Sequence, residues 1–292
     1  MMAKKDKKQR LGKLPKKKDA RNFQLATYTK GVSPPPNKID HASRLVSIGD
    51  MANDVWNSCT VSTAGHMVQS WTVYAERGQM NLSDAAIIEA YKTIMVGNDG
   101  GAYSLDALNM WRKRGIDGEK IEAFIEIAPG DLTQAKLAVQ YFGSLYVGLR
   151  LPDQNLYGPW TTVTGIPKDA NGHVVNICGY NDSIQMFTVC TWGRVVQMSY
   201  AWFEKYSDEG YAVADDISLI ESTGKTPEGF DWATLMGDLY NIDNIIPDAP
   251  TDAPTDPAPA PTPTPEKSKS KVWLIIGVAA AVLIIGLIAL SV

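Results

Sequence analysis

The stretch Asn53-Asp54-Val55-Trp56-Asn57-Ser58-Cys59-Thr60, running on into Val61-Ser62-Thr63-Ala64-Gly65-His66-Met67-Val68, decides the fold of this chain. Ala64, Met67, Val68, Trp71 and Ala75 recur at helical spacing, and Asn57 and Ser58 are good helix-entry residues. A helix is therefore predicted to begin at about Cys59. A thiol at a helix N-terminus meets the positive end of the helix dipole, which lowers its pKa and favours thiolate. Such a cysteine is either a nucleophile or a buried, inert core residue. The choice turns on a base.

The chain has 292 residues and only 3 histidines. His41 lies in the lead-in to the helical region. His66 is seven residues after Cys59 on the same helix, about 10 Å along its axis, too far for a shared hydrogen bond. His173 remains. It opens a predicted strand after a Gly-rich turn, where a side chain can face a cleft. One hairpin later comes Thr191-Trp192-Gly193.

The other cysteines are Cys178 and Cys190. An odd, sparse set argues against a disulfide framework and fits a reducing compartment. There is no CxxC pair and no clustered His set, so no metal site and no cofactor is indicated.

The first half of the chain is predicted helical, with further helices starting at Ser83 as N-cap, over Leu105 to Trp111 and over Leu132 to Phe142. The second half changes period. Short apolar or alternating runs at 144–150, 173–180, 186–191, 194–198 and 210–213 are predicted strands. A late helix is predicted after Asp231. Helices first and strands second give an α+β domain with a cleft between two lobes.

Outside that domain the composition shifts. Residues 1–38 carry Lys4, Lys5, Lys7, Lys8, Arg10, Lys13, Lys16, Lys17, Lys18 and Arg21, against a net charge of -4 for the whole chain. Like charges repel, so this stretch is expected to be a disordered basic arm, with anionic lipid or nucleic acid as a further possible contact. It lacks the apolar helical pattern of an inhibitory propeptide and is not read as one. Residues 39–246 form the folded domain. Residues 247–271 repeat Pro, Thr, Ala and Asp and are expected to be a stiff, extended linker. Residues 272–292, VWLIIGVAAAVLIIGLIALSV, carry no charge. About 20 residues at about 1.5 Å each cross a ~30 Å hydrocarbon core, so a C-terminal transmembrane helix is expected. Lys267, Lys269 and Lys271 precede it, which places the folded domain on the cytoplasmic face of a single-pass membrane protein.

The order of a Cys on a helix, Gly172-His173-Val174-Val175 through Gly179-Tyr180, then Thr191-Trp192-Gly193 resembles the papain-like cysteine peptidases. The Asn53-Asp54 lead-in resembles a divergent bacterial and viral branch of them. Tyr206, Asp208-Glu209-Gly210-Tyr211-Ala212 and Gly229-Phe230-Asp231 continue the likeness, which spans roughly residues 45 to 240. It implies a papain-like two-lobed α+β fold, with Cys59 as nucleophile and His173 as general base. The oxyanion-hole amide, usually from a Gln six residues before the nucleophile, would here come from Asn53. Members of the family carry a His-orienting Asn two residues before the Trp-Gly pair. That position is Cys190, a poor orienter. Thr191 reaches the imidazole only if the strand register differs, because neighbouring side chains point to opposite faces. Asn176, three residues after His173 on the same strand, faces away. Trp192 would shield the histidine from water.

The leading expectation is a membrane-anchored cysteine hydrolase, a peptidase acting on a peptide or protein substrate. The alternative, motivated by the missing Asn, is an inactive papain-like scaffold that binds a peptide or protein partner. Acyl or amide transfer, or wall-peptide cleavage, by the same Cys-His pair is a third.

Overall fold

The computed structural model describes residues 9–152, 156, 158–165 and 171–214, with isolated positions at 234, 235, 237, 238 and 241. The linker at 247–271 and the apolar segment at 272–292 lie outside the described residues. Among the described residues no helix is long and apolar enough to cross a membrane.

The chain builds two layers around a central helix. Helix α2 (Cys59–Tyr74) is buried on every side, all but its last residue. Val61, Ala64, Met67, Val68 and Trp71 enter one apolar cluster with Leu82, Ile87, Tyr91, Leu108 and Trp111. The last five come from or beside α3 (Asp84–Lys92) and α4 (Ser104–Arg114). Trp71 stacks on Trp111, with ring centroids 5.7 Å apart and planes 18° off parallel, and its Nε1 donates to the Phe142 carbonyl at 2.9 Å. A buried indole needs such an acceptor, so this bond ties the helical layer to α5 (Leu132–Phe142). Ser83 caps α3 by accepting from the Ala86 N–H, as its sequence position predicts.

The second layer is an eight-stranded sheet. Its strands are β1 (Phe23–Gln24), β2 (Lys38–Asp40), β3 (Ala123–Ile127), β4 (Leu145–Leu151), β5 (Asn171–Asn181), β6 (Met186–Thr191), β7 (Arg194–Ser199) and β8 (Ser207–Ala214). The order is β1-β3-β8-β4-β5-β6-β7, and β2 pairs with the far end of β5. Two short helices, α1 (Leu25–Tyr28) and α6 (Tyr200–Tyr206), pack with the sheet's own core of Val147, Leu149, Val175, Ile177, Phe187 and Val189. Strands at 145–151, 171–181, 186–191, 194–199 and 207–214 match the sequence pattern. The pattern did not reveal β1, β2, β3 or α6.

Helix and sheet are joined by polar contacts as well as by packing. Thr63 Oγ1 donates to the Val174 carbonyl at 2.9 Å, and Asn176 Nδ2 donates to the His66 carbonyl at 3.1 Å and to Ser70 Oγ at 2.9 Å. These three bonds fix α2 on β5. The first turn of α2 therefore sits beside the start of β5, which is where Cys59 and His173 lie.

Residues 9–38 are not an open arm. Lys13 is 6% exposed, Phe23 and Gln24 pair in parallel with Ile125 and Glu126, and Leu25 and Tyr28 are buried in the sheet's core. The charge repulsion that suggests disorder is cancelled one lysine at a time. Lys13 meets Asp208 and Glu209, Lys16 meets Glu126, and Lys17 meets Asp106. Acidic residues of the domain supply the counter-charges, which a reading of the arm by itself does not include.

Candidate active site

Cys59 opens α2 with Ser58 at the N-cap position. The loop before it is held by Asp99. The Asn57 N–H donates to Asp99 Oδ1 at 2.8 Å, the Asn57 amide donates to the Asp99 carbonyl at 2.7 Å, and the Tyr91 hydroxyl donates to Asp99 Oδ1 at 2.9 Å. Tyr91 also accepts from the Gly101 N–H at 3.0 Å. One aspartate thus locks the approach to Cys59 against the Gly100-Gly101-Ala102 loop, one wall of the cleft. Asp99 takes a φ of 63° to do so, a conformation tolerated best by Asn and Asp among residues with a side chain.

His173 opens the other wall. Its Nε2 lies 2.8 Å from Thr191 Oγ1, and its ring stacks on Trp192 with centroids 3.9 Å apart and planes 10° off parallel. The Nδ1 atom is buried and makes no hydrogen bond. Trp192 and Gly193 form the two-residue turn between β6 and β7, both at positive φ (45° and 69°). This is the hairpin geometry whose twist suits antiparallel strands, and it throws the indole over the imidazole.

Thr191, rather than Cys190, meets the histidine. Asn176 and Cys190 are directly paired across β5 and β6, so they share a face. Asn176 turns towards α2, three residues and one face away from His173. Cys190 follows Asn176, and Thr191, its neighbour, falls on the side of His173. Cys190 instead sits 3.2 Å from the Cys178 sulfur in a small separate cluster with Ala42. The hydrogen bond with Cys178, and burial, hold its thiol well above the usual cysteine range.

Asn53 is buried, and its amide donates to the Trp56 carbonyl at 3.0 Å within its own loop. His66 bonds the Gly49 carbonyl at 2.8 Å and His41 the Gly143 carbonyl at 2.6 Å. Both are structural, which leaves His173 as the histidine of the cleft.

The cleft is filled by the chain's own residues 10–14. The Gly12 and Lys13 N–H groups donate to the Gly172 carbonyl at 3.2 and 3.1 Å. The Leu14 N–H donates to the Ala102 carbonyl at 3.0 Å, and the Ala102 N–H to the Gly12 carbonyl at 2.8 Å. Trp192 Nε1 donates to the Arg10 carbonyl at 3.1 Å. Glycine is required on all three sides of this sandwich. A Cβ on Gly12 would meet the Asn57 carbonyl oxygen at 1.8 Å, one on Gly101 the Gly12 oxygen at 2.2 Å, and one on Gly172 the Lys13 oxygen at 2.1 Å. Gly101 and Gly172 let the backbone of residues 12–14 pass between the two walls, a role legible only once the two are known to face each other.

Under this cover Cys59 is 1% exposed, and burial pushes its thiol up to about 11. The N–H groups of Val174 and Gly12 and the Lys13 ammonium act the other way without prevailing. The thiol is therefore protonated at neutral pH in this closed state, against the lowered pKa expected from the helix dipole alone. Desolvation outweighs the dipole here. Burial, with the charge of His66, holds His173 well below its ordinary value, so the imidazole is neutral. Thr63, near the start of α2, donates to the carbonyl of Val174 at 2.9 Å, so the two walls meet at the residue next to His173.

No protein-family model and no curated protein matches the chain. Solved structures do. Xylellain, a cysteine protease from Xylella fastidiosa, aligns with a TM-score of 0.56 at 17% identity, over 74% of this chain and 99% of that one. The proCathepsin B S9 of Trypanosoma congolense aligns with a TM-score of 0.55 at 12% identity, over 71% of this chain and 87% of its own. The digestive procathepsin L2 of Tenebrio molitor larval midgut gives 0.55 at 10%, over 73% and 81%. The fold is that of the papain-like cysteine proteases. At these identities the likeness is one of architecture.

Proposed function

We propose that the chain is a papain-like cysteine hydrolase, a peptidase, with Cys59 as nucleophile and His173 as general base. The observation that carries this reading is the state of the imidazole. Thr191 bonds Nε2, Trp192 covers the ring, and Nδ1 is buried without a hydrogen-bond partner among the described residues, on the strand that Thr63 ties to the start of α2. An unpartnered buried nitrogen is costly, and His66 Nδ1 is another. What favours His173 as the base is its place beside Val174, which Thr63 of α2 bonds, under the Trp192 cover.

The reaction follows from the groups present. With the cleft open, Nδ1 takes the thiol proton and Sγ bonds the scissile carbonyl carbon. The C–N bond breaks as the imidazolium returns its proton to the leaving amine, and water then hydrolyses the thioester by the same base. The developing oxyanion falls at the N-terminus of α2, where free backbone N–H groups and the dipole favour negative charge. Asn53 joins this hole only by releasing Trp56 or by using its second amide hydrogen. The residues in the cleft must leave first, because Gly12 occupies the space above Cys59.

The apolar run at 272–292 supports a tethered enzyme with its domain on the cytoplasmic side. A tag at residue 1 that resists protease in intact membranes would overturn that orientation.

The catalytic reading is tested with the full chain carrying Lys13→Glu. This change sets like charges against Asp208 and Glu209 and lifts the covering residues. Hydrolysis of an unfolded protein substrate is expected, and its loss in the Cys59→Ala and His173→Ala versions of that chain. Equal turnover in all three would remove the assignment. The binding-scaffold alternative rests on the filled cleft and the raised thiol pKa, and it predicts no turnover with the cleft open.

A further inference from the structure

We propose that the cleft carries a lysine-selective subsite, built from Asp208, Glu209, Ser104 and Gly148, and that Lys13 occupies it as a stand-in for the lysine of a peptide substrate. This deepens the peptidase reading and rests on it.

The Lys13 ammonium is fully enclosed, its side chain 1% exposed. Its Nζ donates to Asp208 Oδ2 at 2.8 Å and to the Leu14 carbonyl at 3.3 Å, and it pairs in charge with Glu209 Oε1 at 3.2 Å. Glu209 is itself fixed. Ser104 Oγ donates to its Oε1 at 2.6 Å and the Tyr211 hydroxyl to its Oε2 at 3.2 Å. The other Asp208 oxygen, Oδ1, is buried with no hydrogen-bond partner among the described residues. Gly148 leaves the channel for the aliphatic stem. A Cβ there would meet Lys13 Cε at 2.3 Å and Glu209 Cγ at 2.5 Å.

A cluster of carboxylates alone would not define a site. Here the lysine enters from a backbone segment that both cleft walls hydrogen-bond, one residue along from Gly12, which lies against the Asn57 carbonyl two residues before Cys59. A peptide held between Gly172 and Ala102 brings the side chain adjacent to the scissile residue into this same pocket. An uncharged side chain there leaves two carboxylates, one of them buried, without a cation, and an acidic one adds repulsion. The pocket therefore selects lysine by a penalty on everything else as well as by its own contacts.

The test separates binding from catalysis. The full chain carrying Lys13→Glu and Cys59→Ala has a vacated pocket and no nucleophile. Its affinity for a labelled peptide of sequence Arg-Leu-Gly-Lys-Leu is compared with versions holding norleucine or glutamate at the fourth position. At least tenfold tighter binding of the lysine peptide than of norleucine is expected, with glutamate weakest. The gap should close in Glu209→Gln and Asp208→Asn, and Gly148→Ala should weaken the lysine peptide most. Equal binding of lysine and norleucine, or no binding of any peptide, overturns the subsite. Lysine preference here together with absent turnover in the Cys59-containing chain would keep the subsite and remove the peptidase reading. Turnover without lysine preference would do the reverse.

Discussion

At the scale of single residues, the proposed function gives Thr191 the part that an amide plays in the family the sequence resembles, because its Oγ1 lies 2.8 Å from His173 Nε2. A hydroxyl accepts as well as donates, so it can hold Nε2 in either tautomer, but it makes one bond where an amide offers more. Thr191→Val is expected to lower kcat by about 10- to 100-fold, up to the lower end of the roughly 100- to 10,000-fold that acid–base catalysis contributes, because the base itself remains. Thr191→Ser should restore most of it, measured as turnover in the Lys13→Glu chain. The places of Cys59, His173 and Trp192, a helix start, a strand start and a two-residue turn, were legible in the sequence. Which of Cys190 and Thr191 meets the imidazole is left to the register. It depends on the pairing of Asn176 with Cys190, and strand register is a long-range property that reverses faces with a slip of one residue. Asp208 and Glu209 were visible as residues, but nothing local gave them a ligand.

At the scale of elements, the strand-like segment 10–14 and the loop ending at Cys59 govern one another. Gly12→Ala puts a methyl group into the Asn57 carbonyl, so the segment should leave the cleft. Amide hydrogen exchange at Lys13 and Leu14 should rise with alkylation at Cys59, while protection in α2 stays unchanged. Exchange that stays slow at Lys13 would contradict the close fit at Gly12. Asp99 holds the other side of that loop with hydrogen bonds from a backbone N–H and a hydroxyl. Asp99→Ala removes both, and hydrogen bonds to a charged group are worth about 1.5–3 kcal/mol each. A loss of about 2 kcal/mol or more in denaturant unfolding is expected, and a loss under about 0.5 kcal/mol would count against its locking role. Helices α2 to α5 and strands β4 to β8 were readable from periodicity. The short elements α1, α6, β1, β2 and β3 and the cleft-filling segment were not, because short stretches take their structure from partners far away in the chain.

At the scale of the whole molecule, the enzyme reading requires two states. In the closed one, burial raises the Cys59 thiol to about 11, so at pH 7 only about one molecule in 10,000 carries thiolate. Opening the cleft removes burial, the largest influence on that thiol, and with it two smaller ones of opposite sign, the Gly12 N–H and the Lys13 charge. The net change is downward, so opening makes the nucleophile as well as exposing it. On the proposed reading, residues 10–14 act on the chemistry of the site rather than merely on its surroundings.

The measurement that bears most directly on the Cys59–His173 pair is the pH profile of iodoacetamide labelling at Cys59. It is read by peptide mass in the full chain, in Lys13→Glu and in Lys13→Glu with His173→Ala. In the unaltered chain labelling should stay slow at neutral pH and climb about tenfold per pH unit towards 11. In Lys13→Glu it should be fast near pH 7, and removal of His173 should slow it there by at least about tenfold. The same slow, base-driven profile in all three would mean that His173 does not activate Cys59 and that the pair is not catalytic.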